Sequence, residues 1–335
     1  MPKSARRNGK ASDLTIRRAL EPADYPFFDY RRFSFALGIA AAGRIWLSGS
    51  TAARYEPPAG MVVKGDLVAQ AGVIYDKMTA TLSAARRGLD DVVRMVRYVT
   101  PAAVKDLTAL DAFEARTFGG DLSVTTLMVQ SLLRPEALIE IEAIAYDGSP
   151  DGIDYLPSIV APDRAAAWAS GAKELGARGL DRTDVMKVIE QATASAFSGP
   201  EVGAAIPGLR VCVPRLARAE TGAQIDMTVR PTKSSPVVFV SGEADPSKDG
   251  IVNQCRDLYA RLGKKLEQAG ASLGSVVKTT EFIVPSALRE YRGTADVRRE
   301  VFAAPFPAAT GVICERLEAP GALIAVEITA VKETG

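Results

Sequence analysis

The chain has 335 residues, 47% of them apolar and 24% charged, a soluble globular composition able to bury one large core or two to three small ones. Its 41 basic and 40 acidic side chains leave a formal charge of +1, so no global field favours nucleic acid or an anionic membrane. Histidine is absent, which removes Ser-His and Cys-His nucleophile activation and every His-containing zinc site, and leaves carboxylates, hydroxyls, Lys, Arg, Tyr and backbone groups to carry any chemistry.

The opening stretch, 1–29, is basic at its start and reads as a solvated extension without the apolar core of a secretory signal. No apolar run approaches the ~18–20 residues of a membrane helix, so a cytoplasmic protein without membrane or nucleic-acid partners is expected. Two later stretches begin alike, with a short apolar strand ending in Ser-Gly: Arg44-Ile45-Trp46-Leu47-Ser48-Gly49 and Val237-Val238-Phe239-Val240-Ser241-Gly242. A helix follows each. Leu67, Ala71, Ile74, Met78 and Leu82 form one apolar stripe, and Ile251, Cys255, Leu258, Leu262 and Leu266 repeat its steps at a constant offset.

Both stretches continue with a strand rich in β-branched residues, 92–99 and 276–283, at the same offset. A second helix is expected at about 107–118 and 291–302, then paired strands at 124–133 with 138–145 and at 311–317 with 323–331. Each copy thus reads β-β-α-β-α-β-β, and a period this long means duplicated domains rather than a solenoid. Between them, 147–154 is a loop by its turn residues, while 164–175 and 184–197 look helical. The strands at 209–216 and 223–229 mimic the closing pair of the full copies, which points to a truncated third unit. The expected division is 1–29 extension, 30–148 first domain, 149–230 linker and partial unit, and 231–335 second domain.

Cys212, Cys255 and Cys314 are far apart and outside any CxxC pair, and read as reduced, mostly buried thiols. Without GxGxxG or GxxxxGK[ST] loops, no nucleotide cofactor is expected, and no metal. Arg94 and Arg97 are read as lining the outside of a strand. Glu140 alternates with Ile139 and Ile141, so its side chain faces away from theirs.

The order of elements, together with Leu-x-Arg-Pro-x-x-Leu-Ile-Glu-Ile-Glu-Ala-Ile-Ala at 132–145, resembles the RidA (YjgF) family of enamine/imine deaminases along nearly the whole of both copies. The resemblance implies an α+β, chorismate-mutase-like unit that packs in threes, as a homo-oligomer or as an intrachain pseudo-trimer, with small-molecule clefts between neighbouring units. In the family a cleft Arg grips the substrate carboxylate, for which a planar guanidinium is suited, and a Glu in the last strand positions the hydrolytic water. Matched by position, the Glu falls on Glu140, on Ala325 and, in the middle unit, on Asp226. The Arg falls on Thr125 and Ala309, the family's Asn on Asp111 and Ala295, and an aromatic near the cleft around Phe33 or Phe35.

The resemblance therefore names Glu140, Thr125 and Asp111 as catalytic candidates. Substrate-binding candidates are Ser48, Gly49 and Phe35, with Ser241, Gly242 or Arg316 from a facing unit. It implies a cofactor-free hydrolase of an enamine or imine of a larger or non-amino-acid metabolite, lacking the usual carboxylate-binding Arg. Two alternatives stand beside it: a non-catalytic small-molecule sensor, and a different hydrolase or lyase chemistry of the chorismatase or cyclic-amide-hydrolase kind.

Overall fold

The protein is described by a computed structural model covering residues 17–118, 122–147, 153–197, 206–230 and 235–332, so most of the basic start and of the loop at 147–154 lie outside the described residues. Both expected apolar stripes form helices, Leu67–Ser83 and Gly250–Gln268, with every stripe residue buried. The Asp66 carboxylate caps the first, accepting from Ala69 N at 2.9 Å.

Three consecutive segments each build a mixed sheet. In the first segment the order is Arg18–Ala19, Gly38–Ala41, Arg44–Leu47, Ile139–Tyr146, Val92–Val99, Ser123–Met128. In the third it is Val237–Glu243, Ile324–Val331, Val276–Ile283, Ala308–Ile313. Both contain the same parallel crossover, from the central strand through the second helix (Leu107–Thr117 or Thr294–Val301) to the next strand.

The middle segment is more complete than its sequence suggests. Residues 184–197, expected as a helix, form the strand Val185–Thr193, and only Ala194–Phe197 is helical. The strand lies between Gly208–Val213, parallel, and Ala223–Val229, antiparallel. Ladder bonds on both sides and the β-branched Val185, Val188, Ile189 and Thr193 outweigh the helical reading. Helix Arg164–Ala177 covers this sheet, and Asp163 caps it. Among the described residues the single turn Ala194–Phe197 stands in this crossover where the other segments carry a longer second helix.

The segments are tied by exchanged edges. Ser131–Leu132 of the first segment pairs with Ala308–Ile313 of the third, and Arg316–Leu317 of the third pairs with Gly208–Val213 of the second. Where the sheets face one another, charged side chains such as Arg94 and Lys278 lie among apolar ones such as Trp46, Ile189 and Phe239. Arg94 lies there and Arg97 lies against helix Leu107–Thr117; both are buried, contrary to the expected outer position, because each has acidic or hydroxyl partners. No described helix is long and apolar enough to cross a membrane.

A fragment of residues 1–150 would lose the partners of Ser131–Leu132, Glu142 and Thr125 together. We expect it to aggregate rather than run as a cooperatively melting monomer in size-exclusion chromatography and thermal denaturation.

Candidate functional site

The Ser-Gly turn after Arg44–Leu47 docks onto the third segment. Ser48 Oγ donates to Ala36 O at 2.6 Å and accepts from Ala309 N at 2.8 Å. Gly49 N is shared between Ala309 O and Thr310 Oγ1, both at 3.0 Å. A Cβ on Gly49 would collide with Glu140 Oε1 and stand 2.7 Å from Thr310 Oγ1, so glycine is required by close approach. Gly49→Ala should displace the Glu140 carboxyl and lower stability by ~1–3 kcal/mol in a denaturant titration; a variant as stable as the parent chain would show that this contact is not tight.

Glu140 is buried at this seam, with only 6% of its surface exposed. Burial pushes its carboxyl up to about 8 and nearby Glu142 pushes the same way, while Lys278, a hydrogen bond from the Gly311 backbone and Lys77 oppose the rise. Glu142, two residues on, goes the other way. The ammonium of Lys278 at 2.9 Å and the Thr310 hydroxyl, which donates to it at 2.5 Å, outweigh burial and hold it below the usual range. The two carboxyls are thus driven apart, one neutral and one ionised near pH 7, although they share a strand face.

A recess of about 40 Å³ opens beside the turn, edged by Ser48, Gly49, Tyr25, Phe28, Phe35 and Lys77. The ring of Phe35 stacks on Phe33 with centroids 5.4 Å apart. Lys77 Nζ donates to Thr51 O and Ala53 O at 2.7 and 2.5 Å and lies over the rings of Phe27 and Phe28; burial lowers it to about 7.

The other expected residues do not join this group. Thr125 is wholly buried at the centre, accepting from Arg94 at 2.6 Å and donating to Asp226 at 2.7 Å. With Lys278–Glu142 and Lys187–Glu327 (2.5 Å), this makes a ring of three basic-to-acidic links, each crossing from one segment to another. Asp111 lines a separate cleft of about 620 Å³ between the first and second segments. Its carboxylate takes Arg97 at 2.9 Å and Arg218 at 2.7 Å, and these two cations outweigh burial and hold it below its ordinary range. Ser241 and Gly242 line a third cleft, of about 420 Å³, where Ser241 Oγ both accepts from Gly208 N and donates to Gly208 O at 2.7 Å. Arg316 stacks over Phe197, 4.4 Å from its centroid. The nine candidates are therefore spread over three seams and the central face between them, with Phe35, Ser48, Gly49 and Glu140 brought together. Among the described residues no group of three or more Cys, Asp or Glu could hold a metal ion, and the three cysteines are buried and free of disulfides.

The family described as endoribonuclease L-PSP matches residues 228–332. A RutC family protein of Pyrococcus horikoshii is 30% identical over 112 residues, which are 33% of this chain and 86% of that protein. The chain belongs to the RidA/YjgF family. A RutC family protein of Pyrococcus abyssi is 31% identical over 91 residues, 27% of this chain and 70% of that one. The structure of a probable translation initiation inhibitor from Rhodopseudomonas palustris is 22% identical, covers 40% of this chain and 100% of that one, and has a TM-score of 0.34.

The ladders correct two matches to RidA positions made on sequence. Val124, Gly208 and Ala309 stand opposite Met95, Val188 and Thr279, so the position of the RidA arginine falls on Val124 in the first segment, not Thr125. Glu140, Gln224 and Ala325 stand opposite Tyr98, Gln191 and Phe282, so the middle counterpart of Glu140 is Gln224, not Asp226. Strand alternation caused both slips. A shift of two residues keeps the same face, and a shift of one is betrayed only by which side chains turn out to be buried.

Residues that sequence reading passed over are Lys278, Thr310 and Glu142 at the Glu140 seam, and Arg97, Glu114 and Gln224 in the Asp111 cleft. A signal was present for the first. Arg94, Lys187 and Lys278 occupy one position in the three central strands, each following a bulge.

Proposed function

We propose that the chain is a RidA-type, cofactor-free hydrolase of a small enamine or imine, acting at the seam where the first and third segments meet. In the same reading the domains 30–148, 149–230 and 231–335 form an intrachain pseudo-trimer. The observation that carries the proposal is the close approach to Gly49 of Glu140, a carboxyl tuned to about 8 that stands behind the recess edged by Gly49, Ser48 and Phe35. A group that titrates near neutrality serves in both directions. As carboxylate it takes a proton from water while the oxygen bonds to the imine carbon. The C=N electron pair of the protonated imine goes to nitrogen in that step. As carboxylic acid Glu140 then gives its proton to the amine. The C–N bond breaks as the hydroxyl oxygen's lone pair forms the C=O bond, and the hydroxyl proton passes back to the carboxylate, giving a ketone and ammonia. The recess admits the reacting end of a small molecule, and the cations near it are Lys77 and Lys278 rather than an arginine. A substrate lacking a carboxylate suits such a seam.

Ammonia release from enamines generated in situ by an amino-acid oxidase tests this reading. Turnover that rises with pH and levels off above about 8 is expected. A binding-only reading has one observation in its favour: Val124, Gly208 and Ala309 all stand where a RidA arginine would be. Ligand-induced thermal stabilisation without ammonia release would favour it.

A further inference from the structure

Away from the Glu140 site, a cleft of about 620 Å³ lies between the first and second segments, a volume suited to a small molecule. Its charges cancel. Arg97 pairs with Asp111 and Glu114, each at 2.9 Å, and Arg218 pairs with Asp111 at 2.7 Å. Among the described residues, two cations against two carboxylates leave no net attraction for an ionised ligand, unlike a cleft built around one arginine.

The polar group left to a ligand is Gln224, whose side chain is almost wholly buried, with 3% exposed. Its Nε2 donates to Thr126 O at 3.2 Å and to Asp226 Oδ2 at 2.8 Å. Both partners are pure acceptors, so the amide cannot be turned round and its orientation is fixed by chemistry. Oε1 is left lining the cleft, and among the described residues nothing donates to it. Around it the walls are apolar: Phe118, Leu122, Val124 and Val160. An acceptor open to a cleft and without a protein donor favours a ligand that brings an N–H over one that brings only lone pairs or negative charge. Gln224 also stands at the strand position of Glu140, where an amide has no basic oxygen to take a proton from water.

We propose that this cleft binds, without hydrolysing, a neutral small molecule that presents an amide-type N–H to Gln224 Oε1 and packs an apolar body against Phe118, Leu122, Val124 and Val160. The site does not depend on the reaction assigned to Glu140.

Isothermal titration of the full chain with benzamide, N,N-dimethylbenzamide and benzoate tests it. Benzamide has the donor and the apolar ring; the second probe lacks the donor; the third replaces it with a carboxylate. Benzamide should bind, and the other two roughly tenfold more weakly or not at all. Val160→Trp and Ala115→Trp each fill the cleft from exposed positions, one on either wall, and each should abolish the benzamide signal without shifting the melting temperature. Equal binding of the three probes, tighter binding of benzoate, no signal with benzamide, or binding that survives both tryptophans would overturn the assignment.

Discussion

Glu140→Gln should remove enamine turnover by ~10²–10⁴-fold while making the folded chain harder to melt above neutral pH. The two effects share one cause. In the folded chain burial holds a proton on Glu140 up to about 8, whereas the unfolded chain releases it near the ordinary 4.5. Stability from this group is complete below about 4.5 and is lost as pH rises through about 8. Gln, neutral at every pH, avoids that loss. The variant should match wild type near pH 4.5 and exceed it by on the order of 2 kcal/mol at pH 8, a shift of several degrees in melting temperature. The difference between variant and parent cancels the titrations of other groups. Full turnover in the variant, or an unchanged difference in melting temperature between pH 5 and pH 8, would count against the assigned environment of Glu140.

The second large effect concerns the ring of ion pairs. Lys278→Met removes the ammonium 2.9 Å from Glu142 and leaves a buried carboxylate with the hydroxyls of Thr310 and, at 3.5 Å, Thr280, but no paired cation. Breaking one side of a buried pair costs ~3–5 kcal/mol, because the remaining charge stays desolvated. Removing both charges in Lys278→Met with Glu142→Leu should restore most of that loss, to within ~1–2 kcal/mol of wild type. Denaturant melts of the two variants decide the matter. A double variant as unstable as the single one would mean that the pair contributes shape and hydrogen bonding beyond charge compensation.

How much of this was legible in the sequence differs by element. The helices Leu67–Ser83 and Gly250–Gln268 were plain, because a five-residue apolar stripe has one amphipathic solution. Strand Val185–Thr193 was not, because its pairing with Gly208–Val213 and Ala223–Val229 is a tertiary fact. Phe35, Ser48, Gly49 and Glu140 could be grouped from the resemblance to one family. Asp111, Thr125, Ser241 and Arg316 could not be apportioned among seams, since one repeated motif yields several interfaces and the sequence does not number them. In the third segment Glu281 on the central strand pairs with Arg298 on the second helix at 2.8 Å, the reverse of the Arg97–Glu114 pair in the first, and neither contact could be read from the sequence. Either order satisfies a strand facing a helix.

The exchanged edges also set a timetable for synthesis. The Ser48 hydroxyl accepts from Ala309 N, a partner 261 residues further along the chain. At ~5–20 residues translated per second, roughly 10–50 s pass between the two emerging from a ribosome. From their own synthesis until Ala308–Ile313 and Lys278 follow, Ser131–Leu132 has no neighbouring strand and Glu142 no paired ammonium. The nascent first segment therefore waits with a polar, half-built edge, the kind of surface that chaperones hold and that neighbouring polysome chains can capture. A chain stalled before Ala308 therefore lacks the strand against which Ser48 and Gly49 dock beside Glu140.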